Sequence, residues 1–267
     1  MMTTEADEAR DWQGRELTCE GCPHQALQAE GKCQLKQACV RDRYARRIDR
    51  FFNWNPSLAN EHLNDPFFEV RAVAAKHADV FRLPALLNDP DETVRWAAAA
   101  RLPDSYMARL RNDPHREVRI RVVSRLDEAG LVSMIHDPDY YVRTMVARRL
   151  SPSTLPLMIN DPEIEVRRTV VHRIDPSQLM RMAKDKEPAI RLEVAQRLSN
   201  EQLIELKDDP DWRVRYEVAE RIDVKALGSL VNDPDPLVSE LARQRLHEAE
   251  GAQAAEGEAS DRFGTAS

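Results

Sequence analysis

All four cysteines of the 267-residue chain, Cys19, Cys22, Cys33 and Cys39, are gathered into one short segment near its start. A Cys-x2-Cys pair lets two thiolates converge on one metal or cluster, and a second pair can close the site. Structural zinc sites usually join two tight knuckles of two to four intervening residues. Here the second pair is separated by five residues and the loop between the pairs by ten. That spacing suits a larger inorganic core held by four cysteines, a [4Fe-4S] cluster first among them. Structural zinc is the alternative, and free or disulfide-bonded cysteines are the third reading. Pro23 after Cys22 also occurs in many cluster sites, a weak signal on its own.

The surroundings are basic. Residues 12–52 set Arg15, Lys32, Lys36, Arg41, Arg43, Arg46, Arg47 and Arg50 against Glu16, Glu20, Glu30, Asp42 and Asp49, a net of +3. Positive charge would stabilise the anionic assembly that four thiolates make around such a core. With four better donors at hand, His24 reads as a surface residue rather than a ligand.

Nothing comparable points to catalysis. The seven histidines (His24, His62, His77, His115, His136, His172 and His247) are scattered at unrelated phases. No Gly-rich phosphate loop, nucleophile elbow or isolated carboxylate pair stands out, so no enzyme is expected. No apolar stretch approaches the ~18–20 residues that span a bilayer. The acidic N-terminus lacks the basic and apolar regions of a secretory signal. Both point to the cytoplasm, where reducing conditions favour metal binding over structural disulfides.

The elements that must position the cysteines follow from a repeat. Aspartate recurs at Asp65, Asp89, Asp113, Asp137, Asp161, Asp185, Asp209 and Asp233, an unbroken 24-residue period, and proline usually follows it. The unit reads D-P-x-x-x-V-R-x-x-(V/A)-(A/V)-x-R-L and then a shorter segment. Aspartate is a favoured helix N-cap and proline is tolerated at the first helical position. Val94, Ala98 and Leu102, like Val142, Val146 and Leu150, sit four apart and form one apolar stripe of a three-turn helix. A last-turn arginine (Arg101, Arg125, Arg149, Arg173, Arg197, Arg221, Arg245) faces the negative end of the helix dipole. The second segment carries pairs three apart, such as Leu83/Leu86, Leu155/Met158 and Leu179/Met182, which fits a short 3₁₀ helix. Met134, Met158 and Met182 read as core filler.

No segment alternates with period two, so no β-sheet is expected. Few aromatics (6%) and only eight glycines agree. One helix plus one short segment cannot bury itself, but stacking can, which makes an all-α solenoid of eight 24-residue repeats. The expected organisation is a disordered N-terminus at 1–14, a cysteine segment with a capping helix at 15–52, the solenoid at 53–246, and a disordered acidic tail at 247–267. The capping helix is a degenerate repeat, in which Val40-Arg41, Tyr44, Arg47 and Ile48 reproduce the spacing, and it begins at Cys39.

A further arginine follows each aspartate by six residues, at Arg71, Arg95, Arg119, Arg143, Arg167, Arg191 and Arg215, with Ser239 in the last unit. Its helical phase puts it about 100° from the valine, inside the buried arc. A buried guanidinium must be paired, so these arginines are expected to form a structural ladder to aspartates or helix-end carbonyls of an adjacent unit. A basic groove for an anionic ligand is the alternative.

The cysteine segment followed by units such as NDPDETVRWAAAARL and NDPEIEVRRTVVHRI resembles the leucine-rich repeat variant (LRV) iron–sulfur family over about residues 15–246. The resemblance implies a right-handed superhelix of alternating α and 3₁₀ helices without β-sheet. It also implies a [4Fe-4S] cluster with Cys19, Cys22, Cys33 and Cys39 as ligands, and a nitrogen-fixation context. The expected function is a scaffold for a protein partner of unknown identity, open to redox response. A nucleic-acid-binding module and a dedicated electron carrier are the alternatives.

Overall fold

A computed structural model describes residues 8–263 of the chain, with side chains described as far as residue 251. Among the described residues the chain is helical, and two isolated antiparallel bridges, Arg10 with Glu16 and Gln34 with Ala38, are its only strand-like pairings. After a first helix at Ala45–Trp54, eight helices begin at 24-residue steps: Phe68–His77, Glu92–Arg101, Arg116–Val123, Tyr140–Arg149, Ile164–Arg173, Pro188–Arg197, Trp212–Arg221 and Pro236–Phe263. Between them lie short segments that are mostly 3₁₀, such as Val80–Asn88, Leu155–Met158 and Val224–Asn232, although Glu128–Val132 and Asn200–Leu203 are α-helical.

The seven helices from Phe68–His77 to Trp212–Arg221 each bury a valine or isoleucine with the residues four and five positions later, as in Val94/Ala98/Ala99, Val166/Val170/Val171 and Ile190/Val194/Ala195. The third residue of the expected stripe falls outside the helix. Leu102, Leu150, Ile174 and Leu198 are extended C-cap residues that still turn into the core. Leucine-like residues of the short segments (Leu83, Met107, Leu155, Leu179, Leu203, Leu227) complete the apolar layer.

The repeated aspartate does not cap the helix. Its Oδ1 accepts the backbone N–H two residues on, as in Asp89 with Asp91 at 2.9 Å and Asp161 with Glu163 at 2.9 Å, an Asx turn across the proline. The helix starts at the residue after that donor. Asp91, Asp139 and Asp211 are the side chains that cap it. The repeated aspartate stands three residues before the first helical residue, so its carboxylate closes this turn instead of capping the helix.

The ladder arginine builds the repeat stack. Arg95 Nε and Nη2 donate to the two carboxylate oxygens of Asp113 at 2.6 and 2.7 Å, while Nη1 donates to the Asp89 and Pro90 carbonyls at 2.9 and 3.1 Å. Four bonds from one buried guanidinium therefore reach acceptors in two successive Asp-Pro turns. The same fork joins Arg71 to Asp89, Arg143 to Asp161, Arg167 to Asp185, Arg191 to Asp209 and Arg215 to Asp233. Arg119 donates to the Asp113 carbonyl at 2.8 Å. The bond from Arg215 leads in holding the Asp233 carboxyl below its ordinary pKa.

The last-turn arginines make a second, reverse ladder. They reach the carbonyls that end the preceding helix rather than their own. Arg125 donates to Ala99 and Leu102 at 2.7 and 2.6 Å, Arg221 to Ala195 and Leu198, and Arg245 to Ala219 and Ile222. Orphan carbonyls at a helix end need such donors.

Two compact units divide the chain, one ending at Gly130 and the other beginning at Leu131. The division falls inside the repeat array. Residues 1–7 and 264–267, expected to be disordered, lie outside the described residues. Residues 8–14 do not fit that expectation. Asp11 is buried, its Oδ1 accepts the N–H groups of Gln13 and Arg15 at 2.9 Å, and Trp12 stacks on Phe67 with ring centroids 5.7 Å apart. Much of the acidic tail likewise departs from it, because the last helix runs on to Phe263 through a segment rich in alanine and glutamate, both strong helix formers.

Arg143→Met leaves the Asp161 carboxylate buried without its counter-ion, which costs about 3–5 kcal/mol for a broken buried pair. Urea melts are expected to show that loss. Unchanged melting with lost partner binding would overturn the structural ladder.

Candidate metal centre

The cysteine segment owes its course to three backbone reversals. Between Cys19 and Cys22 the chain turns with a 3.2 Å bond from Cys22 N–H to the Cys19 carbonyl, and Gly21 takes the left-handed conformation (φ +70°) that the turn requires. A single helical turn, Gln25–Ala29, then ends at Gly31, where the Lys32 N–H returns to the Leu27 carbonyl at 2.8 Å. Finally Gln34 and Ala38 exchange two 2.8 Å bonds across a tight hairpin whose tip, Lys36, has a positive φ of 65°. The hairpin sets Cys33 and Cys39 opposite one another, which is what five intervening residues achieve.

The four sulfurs belong to one electrostatic neighbourhood. The Cys33 thiol donates to the Cys39 sulfur, an arrangement that raises the Cys33 pKa. Burial raises it further, as do the charges of Cys39, Cys22 and Cys19. The same bond lowers Cys39 to about 7, helped by the backbone N–H of Arg41 against the opposing effect of burial. Burial, then the charges of Cys39 and Cys22, raises Cys19. Cys33 and Cys39 are buried, and Cys19 and Cys22 are half-buried. All four are free thiols. Among the described residues no group of three or more His, Cys, Asp or Glu side chains is set to hold a single metal ion. The donor set is four soft sulfurs, with the Arg41 N–H aimed at the Cys39 sulfur, which fits an iron–sulfur core.

The helix Ala45–Trp54 supports this segment, and it differs from the expected capping helix. Residues 39–44 form turns, with Asp42 N–H bonded to the Cys39 carbonyl at 3.3 Å, and the helix starts at Ala45 rather than Cys39. Its length and extended N-cap match those of Phe68–His77 when Ala45 is aligned with Phe68, a step one position short of the repeat period, although the Asn55 C-cap (φ −134°, ψ 59°) departs from the extended Ala78. Phe51 and Phe52 then occupy the apolar positions of Ala74 and Ala75, and both are fully buried. In that alignment Arg47 stands in the valine position, Ile48 in the ladder-arginine position and Asn55 in the C-cap position that leucine or isoleucine holds in most repeats.

The two polar newcomers hold the cysteine segment. Asn55 Nδ2 donates to the Lys32 carbonyl, next to Cys33, at 2.8 Å and to the Phe51 carbonyl at 2.9 Å. Arg47 Nη1 donates to buried Asp42 at 2.9 Å and to the Glu8 carbonyl at 3.0 Å, and its guanidinium lies 4.8 Å from the Tyr44 ring centroid. Arg50 reaches the Gln37 carbonyl in the hairpin at 3.4 Å.

The histidines also depart from expectation. His24 is half-buried, with its ring 5.2 Å from Phe51, and its Nε2 lies 3.2 Å from Nε2 of His62. His77 stacks on Phe52 at 6.1 Å. Three of the seven histidines thus gather on one aromatic cluster. Burial, then the charge of His62, lowers the His24 pKa. Sequence reasoning missed Asn55, Arg47 and this cluster. The signal for the first two is a polar residue at a position where the repeats place an apolar one.

These features define a helical-repeat protein that carries a cysteine-rich centre on its first layer. A family model described as LRV protein FeS4 cluster matches residues 9–61. A solved structure described as a leucine-rich repeat variant with a novel repetitive protein structural motif is 41% identical and superposes with a TM-score of 0.72, covering 86% of this chain and 99% of that one. An uncharacterized 27.7 kDa protein in the nifB 3' region of Rhodobacter capsulatus is 52% identical over 83 residues. That match takes in 31% of this chain and 34% of the relative, so the chain matches about a third of that protein's length. The chain belongs to the leucine-rich repeat variant iron–sulfur family.

Asn55→Ala removes the donor to the Lys32 carbonyl and is expected to destabilise the first unit by about 1–3 kcal/mol. Urea denaturation measures this, and limited proteolysis should show earlier cleavage within residues 30–38. A variant as resistant as the parent chain would mean that Asn55 is not a tether.

Proposed function

We propose that the protein is a non-enzymatic helical-repeat scaffold for a protein partner, carrying a [4Fe-4S] cluster on Cys19, Cys22, Cys33 and Cys39. The observation that carries this reading is that the segment matched by the iron–sulfur family model brings Cys19 and Cys22 to the two ends of one turn and Cys33 and Cys39 to opposite sides of a hairpin. A bound cluster supplies reversible one-electron chemistry. The chain's own residues set its surroundings: the Arg41 N–H is aimed at the Cys39 sulfur, Arg41 offsets negative charge at Cys19, and burial of Cys33 and Cys39 excludes water. Hydrogen bonds to sulfur and limited solvent access are the features by which a protein tunes cluster potential.

A repeat array exposes extended surface suited to a macromolecular partner. The ladder arginines that would have lined a phosphate-tracking groove are committed to carboxylates and carbonyls, which favours a protein over nucleic acid. The relative from the nifB 3' region supports a nitrogen-fixation setting. No helix among the described residues is long and apolar enough to cross a membrane, which is compatible with a cytoplasmic role.

Anaerobic purification is expected to give a brown protein with broad absorbance near ~400 nm and about four iron and four sulfide per chain. Substituting any one of the four cysteines by serine should abolish most of that colour. A colourless protein holding one zinc would contradict the cluster.

A further inference from the structure

Each ladder aspartate from Asp89 on, wherever the pair is described, is held by an arginine of the preceding repeat. Asp65 is the first aspartate of the series, and the helix before it places Ile48 where that arginine would stand. Asp65 Oδ1 accepts the Phe67 N–H at 2.9 Å, and Oδ2 lies 3.5 Å from Nδ1 of His62. The opposite nitrogen of the same ring, Nε2, is 3.2 Å from Nε2 of His24. In the tautomer that presents its Nδ1 proton to the carboxylate, His62 has a lone pair at Nε2 for the Nε2–H of His24. The chain Asp65–His62–His24 therefore runs from the first repeat turn to the residue two places after Cys22. The ring is also held edge-on by Phe52 (5.5 Å, 70°) and Phe51 (6.4 Å, 84°), which fixes its direction.

We propose that His62 is a positioning residue for the cysteine centre. It takes the place of the missing first ladder arginine and, through its bond to His24, pins the Cys19–Cys22 loop to the first repeat. The assignment of the loop's cysteines as cluster ligands rests on the function proposed above, whereas the pinning itself does not.

The test uses the full chain. Hydrogen exchange of the iron-free protein is compared between residues 19–30 and the helices Phe68–His77 and Glu92–Arg101. His62→Phe keeps an aromatic ring against Phe51 and Phe52 but cannot accept from His24. It is expected to speed exchange over 19–30 by about tenfold, the scale of one hydrogen bond, while the two helices stay within about twofold of the parent. His62→Gln, whose amide oxygen can accept from His24, is expected to recover most of the protection. His77→Phe, at the other stacked histidine, should leave 19–30 unchanged. In a second arm the reconstituted protein is exposed to a chelator, and His62→Phe should lose iron faster, with His62→Gln between it and the parent. The proposal is overturned if His62→Phe exchanges like the parent over 19–30, or if His62→Gln is no better than His62→Phe. It is also overturned if exchange rises equally in both helices, since His62 would then be core filling. A parent chain that binds no iron would defeat the cluster reading and leave the exchange arm decisive for the pinning.

Discussion

The fold depends on one requirement, that a guanidinium placed in a helix–helix interface must find acceptors for nearly all its donors. Arg95 illustrates the solution, with two bonds to the carboxylate of the next repeat and two to the carbonyls of its own Asp-Pro turn. An ion pair taken out of water gains little net stability over an apolar pair, but breaking it is expensive. Such a pair therefore specifies register more than it adds stability. A repeat shifted by one residue would bury both charges unpaired. The strict 24-residue spacing follows, because an insertion between an arginine and the aspartate 18 residues on would separate that pair. Within each unit the reverse ladder of last-turn arginines, such as Arg125, Arg221 and Arg245, ties a helix to the end of the one before it.

An array built this way needs something other than another repeat at its beginning. The first helix meets that need by a one-residue shift and three exchanges. Arg47 replaces valine, Ile48 replaces arginine, and Asn55 replaces leucine or isoleucine. Polar groups that would be unsatisfied inside the stack are satisfied here by the Asp42 carboxylate and the Glu8 and Lys32 carbonyls. Phe51 and Phe52 fill the volume that alanines fill elsewhere and carry the aromatic platform on which His24, His62 and His77 rest. The cysteine segment is thus bonded into the first layer by backbone carbonyls, which ties the shape of the centre to the packing of the repeats.

What is legible in the sequence follows from repetition. The stripe of Val94 and Ala98, and the buried phase of Arg95, each recur often enough for position alone to show them. The capping role expected of the aspartates is not what forms, because the turn across the proline sets the helix start three residues after the aspartate, which spacing alone does not show. The start of the first helix is misplaced for a related reason. Val40-Arg41 imitates the repeat, while the true correspondence aligns Ala45 with Phe68, falls short of the repeat period, and is written in unlike residue types. The pairing of His24 with His62 joins positions far apart in irregular chain and leaves no periodic trace. The four cysteines are visible as a group because one short segment supplies them all, but their hairpin depends on Lys36 at a positive φ, which no composition reveals.

The central claim is that the cysteine centre and the first repeats fold as one cooperative body. Differential scanning calorimetry of the anaerobic protein, with and without its cluster, tests it most directly. Ligation confined to the folded state should raise the transition of the first unit as a whole, repeats included. A repeat transition that stays at the same temperature, beside a separate transition for the cysteine segment alone, would contradict the account.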